Sequence, residues 1–118
     1  FVTTSGVVPQ GNPDGLRSMK NTKYGKYSIE KLSSMKDAKW DVVHGGYNNA
    51  FMLDNPNYGV PLDICRELEK EKTFTRLYGY FYSTAGVAGL ISEMRAIGRE
   101  IVRDLKTAGV DAILLVST

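Results

Sequence analysis

The most regular pattern in the chain lies near its end, where Leu90, Met94, Ile97, Ile101 and Leu105 recur at steps of three or four residues. Those steps line up one apolar stripe and predict a helix that begins after Gly86. Arg95, Arg99, Glu100 and Arg103 fall off the stripe, toward solvent. Gly109 stands where a left-handed C-terminal cap is wanted. The nearly all-apolar run Ala112–Val116 behind it predicts a parallel strand buried on both faces.

Upstream, strand and helix alternate again. Leu77 to Tyr82 is aromatic and β-prone, and it ends in the small-residue turn Ser83-Thr84-Ala85-Gly86, which reads as the entry to the helix. Pro61 suits the first turn of a helix, after which Leu62, Ile64, Cys65 and Leu68 are expected on one side and the charged run Glu67–Lys72 on the other. Trp40, Val42 and Val43 form a short β-prone stretch that feeds His44-Gly45-Gly46-Tyr47-Asn48-Asn49, which is turn chemistry. Residues 1–39 are rich in Gly, Ser, Lys and Asn and are broken by Pro9, Pro13 and Gly15, so loops with at most one short strand or helix are expected there. The predicted organisation is one domain, with an irregular N-terminal segment at 1–39 and an α/β unit at 40–118. Strand, helix, strand, helix, strand implies right-handed crossovers and a parallel, doubly wound, flavodoxin-like sheet with flanking helices. Such sheets bind ligands outside the carboxyl ends of their strands. The tips His44 to Asn48, Ser83 to Gly86 and Ser117-Thr118 are therefore expected to converge on one edge.

Composition narrows the function classes. At 118 residues, 42% hydrophobic and 24% charged, the chain has enough apolar mass for one core. A net charge of +2 is too small for a nucleic-acid footprint, and no apolar run is long enough for a membrane span. One cysteine, Cys65, rules out an internal disulfide framework, and the N-terminus lacks a secretion-signal pattern, which together fit a reducing cytoplasm. The start at Phe1 rather than methionine, and Thr118 directly behind an apolar run, suggest a truncated piece of a longer chain whose sheet is incomplete.

Few side chains are candidates for chemistry. His44 is the only histidine, and imidazole is the group best suited to exchange a proton near neutral pH; a structural hydrogen bond in a turn is the plain alternative. Ser83 and Thr84, ahead of a helix N-terminus, suit either an anion or ordinary capping. Cys65 sits mid-helix on an apolar face and reads as core. Lys20, Lys23, Lys26 and Lys31, interleaved with Tyr24 and Tyr27, read as a solvated loop rather than a surface for stacked bases. One histidine and one cysteine far apart make no metal-ligand cluster.

Several stretches resemble the selenocysteine-bearing subunit of component B of the glycine, sarcosine and betaine reductases. They are Gly11-Asn12-Pro13-Asp14, Lys23-Tyr24-Gly25-Lys26-Tyr27, Val43-His44-Gly45-Gly46-Tyr47-Asn48, Pro61-Leu62-Asp63, Tyr80-Phe81-Tyr82-Ser83-Thr84 and Ala108-Gly109-Val110-Asp111-Ala112. In this order they cover nearly the whole chain. The related proline reductase subunit is similar around His44 to Asn48 and less so around Tyr80 to Thr84.

The resemblance implies reductive cleavage of the C–N bond of glycine, or of sarcosine or betaine, toward acetyl phosphate. It implies a catalytic selenocysteine directly after Thr118, absent here, a pyruvoyl group on a partner subunit of component B, and a second selenoprotein, component A, that accepts the carboxymethyl group. By position His44 becomes a candidate proton donor or substrate-orienting group, Tyr47 and Asn48 pocket lining, and Ser83, Thr84, Ser117 and Thr118 substrate-binding residues. No cofactor or metal is expected on these residues themselves. The alternatives are a non-catalytic small-anion-binding domain holding its ligand at Ser83-Thr84, or a subunit-docking module using Tyr78 to Tyr82. An uncovered apolar sheet face leaves room for a homo-oligomer.

Overall fold

The segment expected to be irregular supplies the middle of the main sheet. The computed structural model describes residues 1–118. In chain order its strands are β1 (Val2–Thr3), β2 (Val7–Pro9), β3 (Gly25–Ser28), β4 (Trp40–Val42), β5 (Tyr80–Ser83) and β6 (Leu115–Val116). Its helices are α1 (Asn49–Asp54), α2 (Leu62–Lys70) and α3 (Ile91–Thr107). Four strands form one sheet in the order β3-β5-β1-β6. β1 is parallel to both neighbours, with Val2 opposite Tyr82 on one side and Leu115 on the other, while β3 runs antiparallel to β5. The fold is α/β, as its alternating pattern predicts, with a mostly parallel sheet.

Helices cover both faces. On one, Met52 of α1 and Leu62 and Cys65 of α2 pack with Phe1, Tyr27 and Phe81 in the larger core. On the other, Ile97, Ile101 and Leu105 of α3 pack on Tyr82 and Val2. The crossover from β1 to β5 and the one from β5 to β6 run in opposite directions and place their helices on opposite faces, as right-handed connections require.

The helix α3 follows its stripe closely, except that Leu90 stands outside it and is exposed. Its end is a Schellman cap: Gly109 has φ +69°, its N–H donates to the Lys106 carbonyl, and the Val110 N–H donates to the Leu105 carbonyl. In α2, Leu62 and Cys65 are buried but Ile64 is exposed, because only steps of three or four from Leu62 stay on the inner face. Cys65 is core, and burial pushes its thiol pKa up.

Three expectations are overturned by tertiary pairing. Trp40–Val42 is not a strand of the parallel sheet; it pairs antiparallel with Val7–Pro9 in a separate two-stranded ribbon. The run Ala112–Val116 is not buried on both faces: only Leu115–Val116 is strand, at the sheet edge, and Leu115 is 73% exposed. An edge strand has one neighbour, and α3 lies over β1 and β5 instead. Residues 1–39 hold three strands whose partners lie far along the sequence, so no local pattern marks them.

Gly6 joins the two sheets. Its N–H donates to the Thr84 carbonyl at 3.1 Å and its carbonyl accepts from Val43 N–H at 2.8 Å, at φ +71°. A side chain there would run into the Val43 carbonyl. On the opposite side, Lys26 pairs with Asp104 at 2.7 Å beside the rings of Tyr78, Tyr80 and Tyr82, and the Tyr82 hydroxyl donates to the same carboxylate at 2.6 Å.

Gly6→Ala is expected to destabilise the chain by about 3 kcal/mol, because it forces a left-handed β-carbon against backbone; urea unfolding with an unchanged m-value checks it. The ammonium of Lys26 and the hydroxyl of Tyr82 hold the Asp104 carboxyl below the ordinary carboxylate range. A depressed folded pKa gives stability that is present above the unfolded value and lost as pH falls through the folded one. Asp104→Asn should therefore lower the urea midpoint at pH 7, with the gap closing below about pH 4.

Candidate functional site

Three parallel strands end at one edge, and the chain leaves β1 toward one face but β5 toward the other. In open α/β sheets, connections that diverge in this way mark the strand end at which ligands are commonly held. Thr4 follows β1 there and Thr118 follows β6. The Thr118 N–H donates to Thr4 Oγ1 at 3.2 Å, and the two hydroxyl oxygens stand 3.2 Å apart.

His44 reaches the same edge from the other sheet. Gly6 fixes the Val43 backbone beside the end of β1, and the Gly45 N–H donates to the Ser18 carbonyl at 3.0 Å. The imidazole is 6% exposed and lies against the Tyr47 ring, with centroids 4.5 Å apart. Its Nδ1 accepts the Gly46 N–H at 3.0 Å. A ring nitrogen that accepts carries no proton, so the neutral ring holds its proton on Nε2. Nε2 faces Thr118 Oγ1 at 3.5 Å. Burial lowers the His44 pKa, which keeps the ring neutral near pH 7. The site therefore presents a fixed N–H donor, with two hydroxyls beside it and an aromatic wall behind it.

The remaining sequence candidates divide. Tyr47 forms that wall; burial pushes its phenol up to about 12 and its hydroxyl donates to the Ser5 carbonyl at 2.6 Å. Ser117 and Thr118 are exposed at the strand end. Asn48 is exposed and caps α1, its side-chain oxygen accepting the Ala50 N–H at 3.0 Å. That short helix was unexpected, because the Gly-Gly and Asn-Asn pairs around it read as a turn.

Ser83 and Thr84 do not stand at a helix N-terminus, since α3 begins only at Ile91. Both are buried. The Thr84 hydroxyl donates to the Lys23 carbonyl at 2.9 Å and accepts from Asn21 Nδ2 at 2.9 Å, so it is committed to the wall of the site. Ser83 Oγ is buried without a hydrogen-bond partner. Of the tyrosines suggested for docking, Tyr82 is wholly buried and Tyr78 is half-buried beside Lys26.

Two contributors had no assigned role in the sequence. Thr4 belongs to a run, Thr3-Thr4-Ser5, of the same hydroxyl-rich kind as Ser83-Thr84, and recognising Val2–Thr3 as a strand would have revealed it. Asn21, 1% exposed, ties the loop before β3 to Thr84 and accepts the Arg17 N–H at 3.0 Å. A single buried asparagine in a polar loop gives no sequence signal.

The family model described as glycine/sarcosine/betaine reductase selenoprotein B matches residues 1–118. The whole chain is 37% identical to the glycine reductase complex component B subunit gamma of Peptoclostridium litorale and 39% identical to the sarcosine reductase complex component B subunit beta of Peptoclostridium acidaminophilum. Over 99% of its length it is 38% identical to the betaine reductase complex component B subunit beta of the latter organism. It spans 27% of the length of each of these relatives. No solved structure matches it. A match over every residue, in the order of the sequence stretches set out above, shows that the chain belongs to the glycine/sarcosine/betaine reductase selenoprotein B family.

Proposed function

We propose that this chain is part of a selenocysteine-dependent subunit of a reductase complex, acting on the C–N bond of glycine, with sarcosine and betaine as close alternatives, and yielding acetyl phosphate through the whole complex. The relatives are named as component B subunits of all three reductases, which supports the reaction class without choosing the substrate. The observation that carries the reading is the meeting of His44, Thr4 and Thr118 where β1 and β6 end. On their own the 118 residues lack the selenium nucleophile and are inactive under this reading.

The residues present suit a selenocysteine directly after Thr118. An anionic nucleophile needs a donor facing it, and His44 Nε2–H is directed to that strand end from a ring kept neutral by burial. In the complete complex the selenolate supplies the nucleophile for the substrate α-carbon, and a pyruvoyl carbonyl on the partner subunit activates the substrate nitrogen.

The work of this chain is positioning. His44 orients the reacting group through a hydrogen bond donated by Nε2–H, while Gly46 fixes the tautomer. Tyr47 excludes water from one side of the imidazole. Ser117, Thr118 and Thr4 offer hydroxyls to the substrate carboxylate, while Thr84 shapes the wall behind them. Component A, the second selenoprotein, takes the carboxymethyl group onward. No helix is long and apolar enough to cross a membrane, and a single buried cysteine suits a reducing cytoplasm.

The first test is expression of the full-length protein in a host that inserts selenocysteine: a mass extending past Thr118 and containing one selenium supports the reading, and a selenium-free product removes it. In the reconstituted reductase, His44→Ala should lower kcat by about 100-fold, and an unchanged rate would eliminate the role given to His44. An NMR titration should find the His44 ring neutral below the ordinary histidine value of about 6.5, with the proton on Nε2.

A further inference from the structure

The geometry points to the exposed edge of β6 and the adjoining flank of α3 as the docking surface for a strand and helix of this same polypeptide that follow Thr118. β6 has only one neighbour, so the outer side of its backbone is open for pairing. Leu115 sits in register with Val2 and shares its face of the sheet. Val2 is packed beneath α3, but Leu115 beside it is 73% exposed. The apolar layer under α3 therefore continues past the helix and stops uncovered. Ile113, two residues earlier on the same face, is also exposed.

The helix shows the same asymmetry. One flank of α3 is tied toward β3 through Asp104, which takes bonds from Lys26 and Tyr82. The flank on the far side of the buried stripe, toward β6, carries Ile91, Gly98 and Val102, spaced seven and four residues apart on one line. Ile91 and Val102 are exposed, and a β-carbon at Gly98 would touch nothing. A glycine inside a helix weakens it relative to alanine, and open space beside it lets a second backbone approach closely.

The occupant rests on the proposed function, which continues the polypeptide past Thr118, and its place follows from topology. The chain spans 27% of its relatives, so most of each relative lies outside the matched region. The crossover from β5 to β6 moves across β1 with α3 on one face. A further right-handed crossover in that direction places its helix on the same face, beside α3, and its strand along the free edge of β6. The uncovered residues lie where those two elements would sit. Pairing on this side also leaves the His44 edge open, because the new strand joins laterally.

The test uses the full-length polypeptide and does not depend on reductase activity. Single cysteines replace Ile91, Val102 and, as a control on the solvent side of α3, Arg103; maleimide labelling is read by peptide mapping beside amide exchange at Leu115 and Val116. The expected result is labelling at I91C and V102C slower than at R103C by about tenfold or more, with protected β6 amides, at every protein concentration. Equal labelling at all three sites, or free exchange at β6, overturns the proposal. Protection that fades on dilution assigns the surface to a second copy instead, and protection that appears only with the partner subunit assigns it to that subunit; either result also overturns it. Using two substitutions on the seam guards against one that fails to fold.

Discussion

The molecule depends on the insertion of two residues, Val2 and Thr3, between strands that arrive much later in the chain. The Val2 N–H donates to the Leu114 carbonyl, the Thr4 N–H donates to the Val116 carbonyl, and the Phe1 and Thr3 carbonyls accept from Tyr82 and Thr84. Without β1 the strands β5 and β6 have no contact with each other, the larger core loses Phe1, and the candidate site loses the strand between them. Pairing over such sequence separations orders long loops before it gives contacts in return.

The environment of His44 follows from that insertion. The turn after β1 puts Gly6 between Thr84 and Val43, and this double attachment holds the β4 loop against the strand ends. Burial then disfavours the imidazolium, and the Gly46 N–H selects the tautomer. Two independent effects thus produce one chemical state, a neutral ring donating from Nε2. Tyr47, raised to about 12 by its own burial, remains a protonated donor to the Ser5 carbonyl and does not compete for that proton.

The two sides of the molecule differ in how they are finished. The β3 side is closed by an ion pair, a tyrosine cluster and a buried hydroxyl donor around Asp104. The β6 side presents Ile113, Leu114 and Leu115 to solvent next to an uncapped strand edge. A contiguous apolar edge with unpaired backbone groups is a strong tendency to associate, whereas the polar strand ends beside it are suited to a small ligand.

The sequence by itself determined the elements whose signals are local. The spacing from Met94 to Leu105 defined α3 and Gly109 defined its cap. Membership of the reductase family was also legible, because it rests on the order of short stretches rather than on contacts. Tertiary structure alone decided the strand order, the antiparallel ribbon that takes Trp40–Val42 out of the main sheet, and the exposure of Leu115. It also decided the partners of the polar tips: Asn48 turned to cap a helix, Thr84 to bond Lys23 and Asn21, and Thr4 toward Thr118. Side-chain spacing records how a segment meets a core, but the identity of a strand's neighbour depends on residues far along the chain, and no local pattern carries that information.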